Sequence, residues 1–464
     1  MKKLFLFVAM AAMSFTSYSQ VLGYEDLAIL FSQNQYNGSA RFVSMGGAFG
    51  SLGGDVTSLS INPAGVAVFN SSHASVAFQS RSTNITTNYY NTFRETQQDH
   101  LDLTSAGVVF TIDNTKSNDW SNFALGVNYR IKVDFNNSFV SEGNSGISTF
   151  DSFPFDQNTT PFIYDIGENQ RFFNQYNGNL SELNITFGGT YEDKLHVGAG
   201  LNFYDLNFSQ FATLNEFNRD SNGNTLEAEF YQENFTDGSG VNLSVGVIYK
   251  ATQNLRFGIS YQSPTWFTEI LEDTNIANND GYFGFTQIIV SEDPTNIYEN
   301  FTGGFAPRQA LSYSLRNPSK VTASASYIFG KTGLISFDYT SQDFQGLNLS
   351  ARNVDYTNEN QFFRTNLRRT STFNVGTEWR FEKLSLRGGY RYQQSPDANA
   401  LDSDNTQAYS AGLGYNFGNF KVNLAYLTSK RTGLYNFYPQ FPQVDAADLD
   451  IDNTFVTVGI SLNL

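Results

Sequence analysis

The chain contains no cysteine. That excludes disulfides, iron–sulfur clusters, thiolate zinc sites and cysteine nucleophiles, though an exported protein can also lack disulfides. Histidine is nearly missing. His73, His100 and His196 form neither HExxH nor any other ligand spacing. Charged residues make up only 16% of the 464 positions, where a soluble domain carries about 25%. Proline is scarce at 10. Beyond the N-terminal leader, no segment approaches the roughly 20 apolar residues of a membrane helix. Aromatics are plentiful, with 44 Phe, 26 Tyr and 3 Trp beside 38 Gly. This mixture suits many short strands better than helices. Length alone suggests about three domains, a prior that one large barrel breaks. The net charge is −16. Without a leader carrying Lys2 and Lys3 it becomes −16 − 2 = −18, which excludes nucleic acid as a natural partner.

Residues 1–19 read as a secretory signal peptide. Lys2 and Lys3 form its basic end, residues 4–13 its apolar run, and Ser17 and Ser19 the small residues before cleavage. The mature chain is expected to start at Gln20. It is then either soluble in the exported space or a membrane β-barrel, which hydropathy alone does not separate.

Alternation separates them. In residues 241–249 one face reads Val241, Leu243, Val245, Val247, Tyr249 and the other Asn242, Ser244, Gly246, Ile248. In residues 456–464 the apolar face is Val456, Val458, Ile460, Leu462, Leu464, against Thr457, Gly459, Ser461 and Asn463. Residues 195–204 and 409–417 repeat the pattern, with Gly198, Gly200, Gly412 and Gly414 on the second face. A period of two over about ten residues is a strand with one greasy and one small or polar face. Fourteen strands are expected near 74–87, 102–112, 121–135, 181–191, 194–213, 236–250, 253–264, 319–329, 333–349, 370–381, 383–394, 407–417, 419–430 and 453–464. Connectors after even strands are short, such as Glu192-Asp193, Glu382 and Gly418. Those after odd strands are mostly long: 136–180, 214–235, 265–318, 350–369, 395–406 and 431–452. Short turns on one rim and long loops on the other mark an outer-membrane barrel, whereas a soluble sandwich has no reason to sort its loops. The expected fold is all-β: a transmembrane antiparallel barrel of residues 73–464 with short turns facing the periplasm. Outer-membrane lipid and the barrel-assembly machinery are its expected partners, and a monomer its expected state.

Residues 20–72 do not alternate. They are glycine-rich yet carry Leu27, Phe31, Phe42, Phe49 and Val56, too apolar for a solvated linker. A compact hatch inside the lumen would use small residues to fit against the wall. Here the chain resembles the FadL/TodX family of outer-membrane transporters for hydrophobic compounds. The resemblance rests on Ser39-Ala40-Arg41, Met45-Gly46-Gly47-Ala48, Asp55 and Asn62-Pro63-Ala64-Gly65. It continues in RFGISYQSPT (256–265), LSLRGGYRYQQSP (384–396) and AYSAGLGYNFGNFKVNLAY (408–426). It implies a fourteen-stranded barrel closed by an N-terminal hatch, passing long-chain fatty acids or similar compounds by passive diffusion. It implies capture at outer loops, a greasy interior site and sideways exit at a kinked early strand. Arg41, Met45, Gly46, Gly47, Asp55, Asn62, Pro63, Ala64 and Gly65 become the gate residues. The family's capture groove aligns with 214–235 and 265–318. In this chain 136–180 is also long and carries Phe150, Phe153, Phe155, Phe162, Tyr164, Phe172 and Phe173 as candidate capture residues. Beyond Gly126, strand 121–135 has no Pro or Gly to announce a kink.

Other chemistry fits less well. Among the histidines, His100 falls in the first outer loop and His196 at the opposite rim, so they share no catalytic site, and no enzyme is expected. No cofactor or metal is expected either, since haem would need an axial ligand that scattered histidines do not offer. A general porin is the alternative, with Arg364, Arg368, Arg369 and Lys383 as pore charges, but a hatch in the lumen argues against it.

Overall fold

The computed structural model describes residues 22–35, 37–112, 119–154, 159–274, 285–295, 298–299, 309–439 and 441–464. The predicted leader and Gln20 lie outside them. Among the described residues, fourteen strands form one antiparallel barrel. They are β1 His73–Tyr89, β2 Thr92–Ile112, β3 Trp120–Asp134, β4 Ile166–Tyr191, β5 Leu195–Arg219, β6 Thr225–Lys250, β7 Leu255–Gln262 with Thr265–Thr274, and β8 Gln309–Asn317 with Lys320–Phe329. The rest are β9 Gly333–Asp343, β10 Arg369–Phe381, β11 Leu384–Gln393, β12 Thr406–Asn416, β13 Phe420–Tyr435 and β14 Ala447–Asn463. β1 pairs with β14 from His73↔Asn463 to Asn88↔Asp448, which closes the barrel. Closure leaves no free edge at the β1–β14 seam, as a strand protein in lipid requires.

The expected faces hold. Leu243, Val245, Val456, Val458, Ile460 and Leu462 point outward and are exposed, while Ser244, Gly246 and Thr457 point in. Arginine at Val245, 52% exposed, is expected to cost about 2–4 kcal/mol of barrel stability at mid-depth. Urea unfolding in lipid vesicles measures it; an unchanged midpoint would reverse the face assignment.

Three expected long connectors prove shorter because the strands continue. β4, β5 and β6 run 26, 25 and 26 residues, where about 9–11 span a bilayer. The 214–235 connector is a hairpin closed at 220–224, and 431–452 reduces to 436–446. After β1 the turn is Tyr90-Asn91, both at positive φ, and β2 begins at Thr92. His100 therefore lies on β2, paired with Arg81, and not in an outer loop.

The reason is an inversion of polarity along each strand. On β5 the lower outward face is Leu195, Val197, Leu201, Phe203 and the lower inward face His196, Gly198, Gly200, Asn202. Above Phe203 the outward face becomes Asp205, Asn207, Ser209 and the inward face Tyr204, Leu206, Phe208. On β6 the upper inward face is Leu226, Ala228, Phe230 and the outward face Glu227, Glu229. Below the switch the strand faces lipid. Above it the strand faces water outside and buries its apolar side in the lumen.

Candidate functional site

Residues 22–35 and 37–72 fill the barrel as α1 Tyr24–Leu30, α2 Ala40–Ser44 and two 3-10 turns, Thr57–Ser60 and Pro63–Val68. The small inward residues of the wall are their seat. A β-carbon on Gly198 would lie 2.4 Å from Pro63 O, on Gly246 2.0 Å from Asn62 Oδ1, and on Gly258 2.4 Å from Gly50 O. On the other side, a β-carbon on Gly376 would lie 2.5 Å from Met45 O, and on Gly389 2.3 Å from Gly46 N. Side chains there would push the hatch off the wall.

The candidate gate residues separate into three contacts. Ser39 caps α2, its Oγ accepting from Phe42 N at 3.1 Å and donating to Asp55 Oδ2 at 2.6 Å. Arg41 reaches the wall, with Nε 2.8 Å from Glu378 Oε2 and its guanidinium 5.1 Å from the Phe49 ring centre. Glu378 also takes Arg387 at 2.7 Å and Arg380 at 2.5 Å. Met45, Gly46 and Gly47 form the turn after α2. Both glycines have positive φ, 60° and 75°, and Gly46 abuts the Tyr390 backbone on β11. Asn62 is the third contact. Its Oδ1 accepts from Ala64 N at 3.1 Å, capping the turn that Pro63 opens. Its Nδ2 donates to Gly50 O at 2.7 Å and to Val247 O of β6 at 3.2 Å. Gly65 packs against Gly53.

Above this seat α1 stands in the lumen among aromatic side chains. Leu27 and Phe31 are buried with Phe135, Phe139, Phe172, Phe208 and Phe437. Phe31 meets Phe135 and Phe208 edge-on at 5.7 and 5.5 Å. A cavity of about 330 Å³ borders this cluster, lined by Leu22, Asp26 and Leu30 of the hatch and by Ile85, Phe139 and Phe455 of the wall. Burial lifts the Asp26 carboxyl there to about 6. The strap residues Asn34 and Gln35 line the same cavity. Asn34 Oδ1 accepts from Lys320 Nζ at 2.7 Å, and Gln35 N donates to Lys132 O at 3.2 Å.

β3 is broken here. Its ladder with β2 stops at Ser105↔Arg130. Residues 131–134 and a short strand, Asn137–Gly143, pair with β4 alone. Side chains stitch across the gap. Arg81 Nη1 donates to Asp134 O at 2.7 Å, Thr87 Oγ1 to Val140 O at 2.7 Å, and Arg94 pairs with Glu142 at 3.0 Å. The break is made without a Pro or Gly in residues 127–136. Asp134 Oδ1 accepts from Asn136 N at 2.9 Å and from Asn136 Nδ2 at 2.7 Å, folding the chain into an Asx turn opposite Gly178.

The candidate capture residues do not form one site. Phe172 and Phe173 belong to β4. Phe172 is buried in the lumen cluster, and Phe173 lies 6.1 Å from Phe211. Phe153 and Tyr164 are buried in a separate cluster with Leu226, Ala228, Ile288 and Val290, against which Phe150 packs. Phe162 is exposed, and Phe155 lies outside the described residues. Phe31 is one of the apolar residues that mark 20–72 as a hatch; Phe135, Phe139 and Phe437 carry no local signal of their lumen position, whereas Phe208, with Tyr204, follows from the polarity switch on β5. Arg369 pairs with Asp343, and Arg368 donates to Ser395 O, so these are rim charges. His196 is buried at the short-turn end, 2.8 Å from Thr190 Oγ1, while His100 Nε2 lies 3.2 Å from Asp102 Oδ1.

A closed barrel with a lipid-facing band, a filled lumen and sorted turns defines an outer-membrane transport barrel of a Gram-negative bacterium. A family model described as outer membrane protein transport protein (OMPP1/FadL/TodX) matches residues 168–435. The chain belongs to that family and is a transport channel for hydrophobic compounds, not an enzyme. Among solved structures it is similar to a Pseudomonas aeruginosa FadL homologue, at 15% identity and TM-score 0.55, covering 93% of this chain and 99% of that one. It is also similar to the Pseudomonas putida toluene transporter TodX, at 14% identity and TM-score 0.50, covering 93% and 100%. The CymD monoaromatic hydrocarbon channel gives 14% identity and TM-score 0.50, covering 92% and 98%. No curated protein sequence matches it.

Proposed function

We propose that residues 20–72 are a gate and that long-chain fatty acids, or amphipathic acids like them, diffuse passively past it. The single observation that carries this reading is the sequence of environments along the lumen. An aromatic cluster and its cavity come first. Beyond the Asn34–Gln35 strap lies Lys320, whose charged neighbours are Lys132, Arg130, Arg391 and Glu182. Four basic side chains stand there against one carboxylate, and an anionic head entering would be welcomed. The acyl chain would lie among Phe31, Phe135 and Phe208. The same strap holds β3 at its break, since Gln35 Oε1 accepts from Asp134 N at 2.9 Å. Cargo that displaces α1 would pull on that edge, and the β2–β3 gap gives it a sideways route into the bilayer. Uptake into vesicles tests the reading. Lys132→Met with Lys320→Met is expected to lower uptake of a long-chain fatty acid roughly tenfold, one or two charge-assisted bonds, and to spare a neutral alcohol of equal length. Deleting residues 20–60 is expected to admit small sugars. A wild-type barrel that already passes sugars would favour the general porin.

A further inference from the structure

We propose that the periplasmic underside of the hatch is a second binding site, one that takes a phosphate-type oxyanion. A cavity of about 360 Å³ opens there between α2 and the lower ends of β1 and β10–β14. Five cations line it: Arg41, Arg380, Lys383, Arg387 and Lys421. Its acids are largely spent. Both oxygens of Glu378 are taken by Arg41, Arg380 and Arg387. Asp55 accepts from Ser39 Oγ at 2.6 Å and Thr57 N at 2.9 Å. Glu382 is the remaining carboxylate, on the exposed turn between β10 and β11. The side-chain ammoniums of Lys383 and Lys421 have no hydrogen-bond or ion-pair partner among the described residues. In a chain of net charge −16, five cations against Glu378, Asp55 and Glu382 leave a local excess of positive charge.

The walls decide what fits. Serines and asparagines at 39, 75, 385, 423 and 461 stand beside the five cations and supply further hydrogen-bonding groups, so the walls recognise the polar head of an occupant. Three guanidiniums and two ammoniums suit the several oxygens of a phosphate better than one carboxylate. Lys383 and Lys421 stand at the short-turn rim, the level at which anionic phospholipid heads meet a barrel and attract basic side chains. Free phosphate offers the same chemistry. Either would bridge α2, through Arg41, to β10–β13.

The full-length protein in detergent decides. Native mass spectrometry with phosphatidylglycerol and phosphatidylcholine is compared with broadening of the phosphorus resonance of inorganic phosphate. Lys383→Gln with Lys421→Gln is the variant, its barrel checked by heat-modifiable migration. Wild type is expected to retain phosphatidylglycerol about tenfold more than phosphatidylcholine, and the variant to lose that preference. Phosphate broadening by wild type and not by the variant would show that the head alone suffices. Retained lipid without broadening would assign the site to the lipid. Binding of neither probe, or binding that the variant keeps, overturns the site.

Discussion

Replacing Glu378 with glutamine is expected to unseat the hatch and leave the barrel standing. The carboxylate is almost wholly buried and answers three guanidiniums, Arg41 at 2.8 Å, Arg387 at 2.7 Å and Arg380 at 2.5 Å. Removing one partner of a buried ionic cluster leaves charge without compensation, at about 3–5 kcal/mol. That cost falls on the seated state, because Arg41 can leave only by moving the hatch. The strand itself keeps its ladder, with Glu378 paired across to Leu334 and Arg387. The expected result is a raised conductance for small ions in planar bilayers, with unchanged heat-modifiable migration. Arg41→Met should leak less, since Glu378 keeps two of its three partners. Equal, wild-type conductance in both variants would mean that Arg41–Glu378 does not hold the hatch.

The parts of the fold that touch lipid were legible from the residues alone. Val245 and Val458 alternate with Gly246 and Thr457 because one side meets hydrocarbon and the other the filled lumen, and that contrast is written in composition. Above the bilayer the contrast reverses, as at Phe203, Tyr204 and Asp205 on β5. An apolar outer face therefore marks the strand only in part, and the expected strand ends at 213 with a loop at 214–235. The break in β3 escaped for another reason. Asp134 and Asn136 make it with side-chain hydrogen bonds, which leave no Pro or Gly signature. For the hatch, Asn62-Pro63 announced a local turn, and the structure has it. The clustering of Phe31, Phe135 and Phe437 is set by which strands stand opposite one another across the lumen, which no local pattern encodes.

Placing valine at Gly246 is expected to do from the wall what Glu378→Gln does from the underside. Gly246 and Val245 are neighbours in sequence with opposite surroundings, hatch on one side and lipid on the other. A β-carbon at Gly246 would lie 2.0 Å from Asn62 Oδ1 and 3.0 Å from Pro63 Cδ. Asn62 has little freedom to give way, because it is bound to Ala64 N, Gly50 O and Val247 O together. Crowding of this kind costs roughly 1–3 kcal/mol where the surroundings cannot shift, and breaking the three bonds of Asn62 adds about 0.5–1.5 kcal/mol for each. The seated hatch thus becomes unfavourable by several kcal/mol, while β6 keeps its lipid face. A cycle with the 20–60 deletion separates hatch from barrel. In the full chain Gly246→Val should raise sugar permeability steeply. In the deleted chain, already open and lacking the hatch segment that holds Asn62 against the wall, it should add little. Equal increments in both backgrounds would place the damage in the barrel wall and remove the glycine face of β5, β6 and β7 as the seat of the hatch.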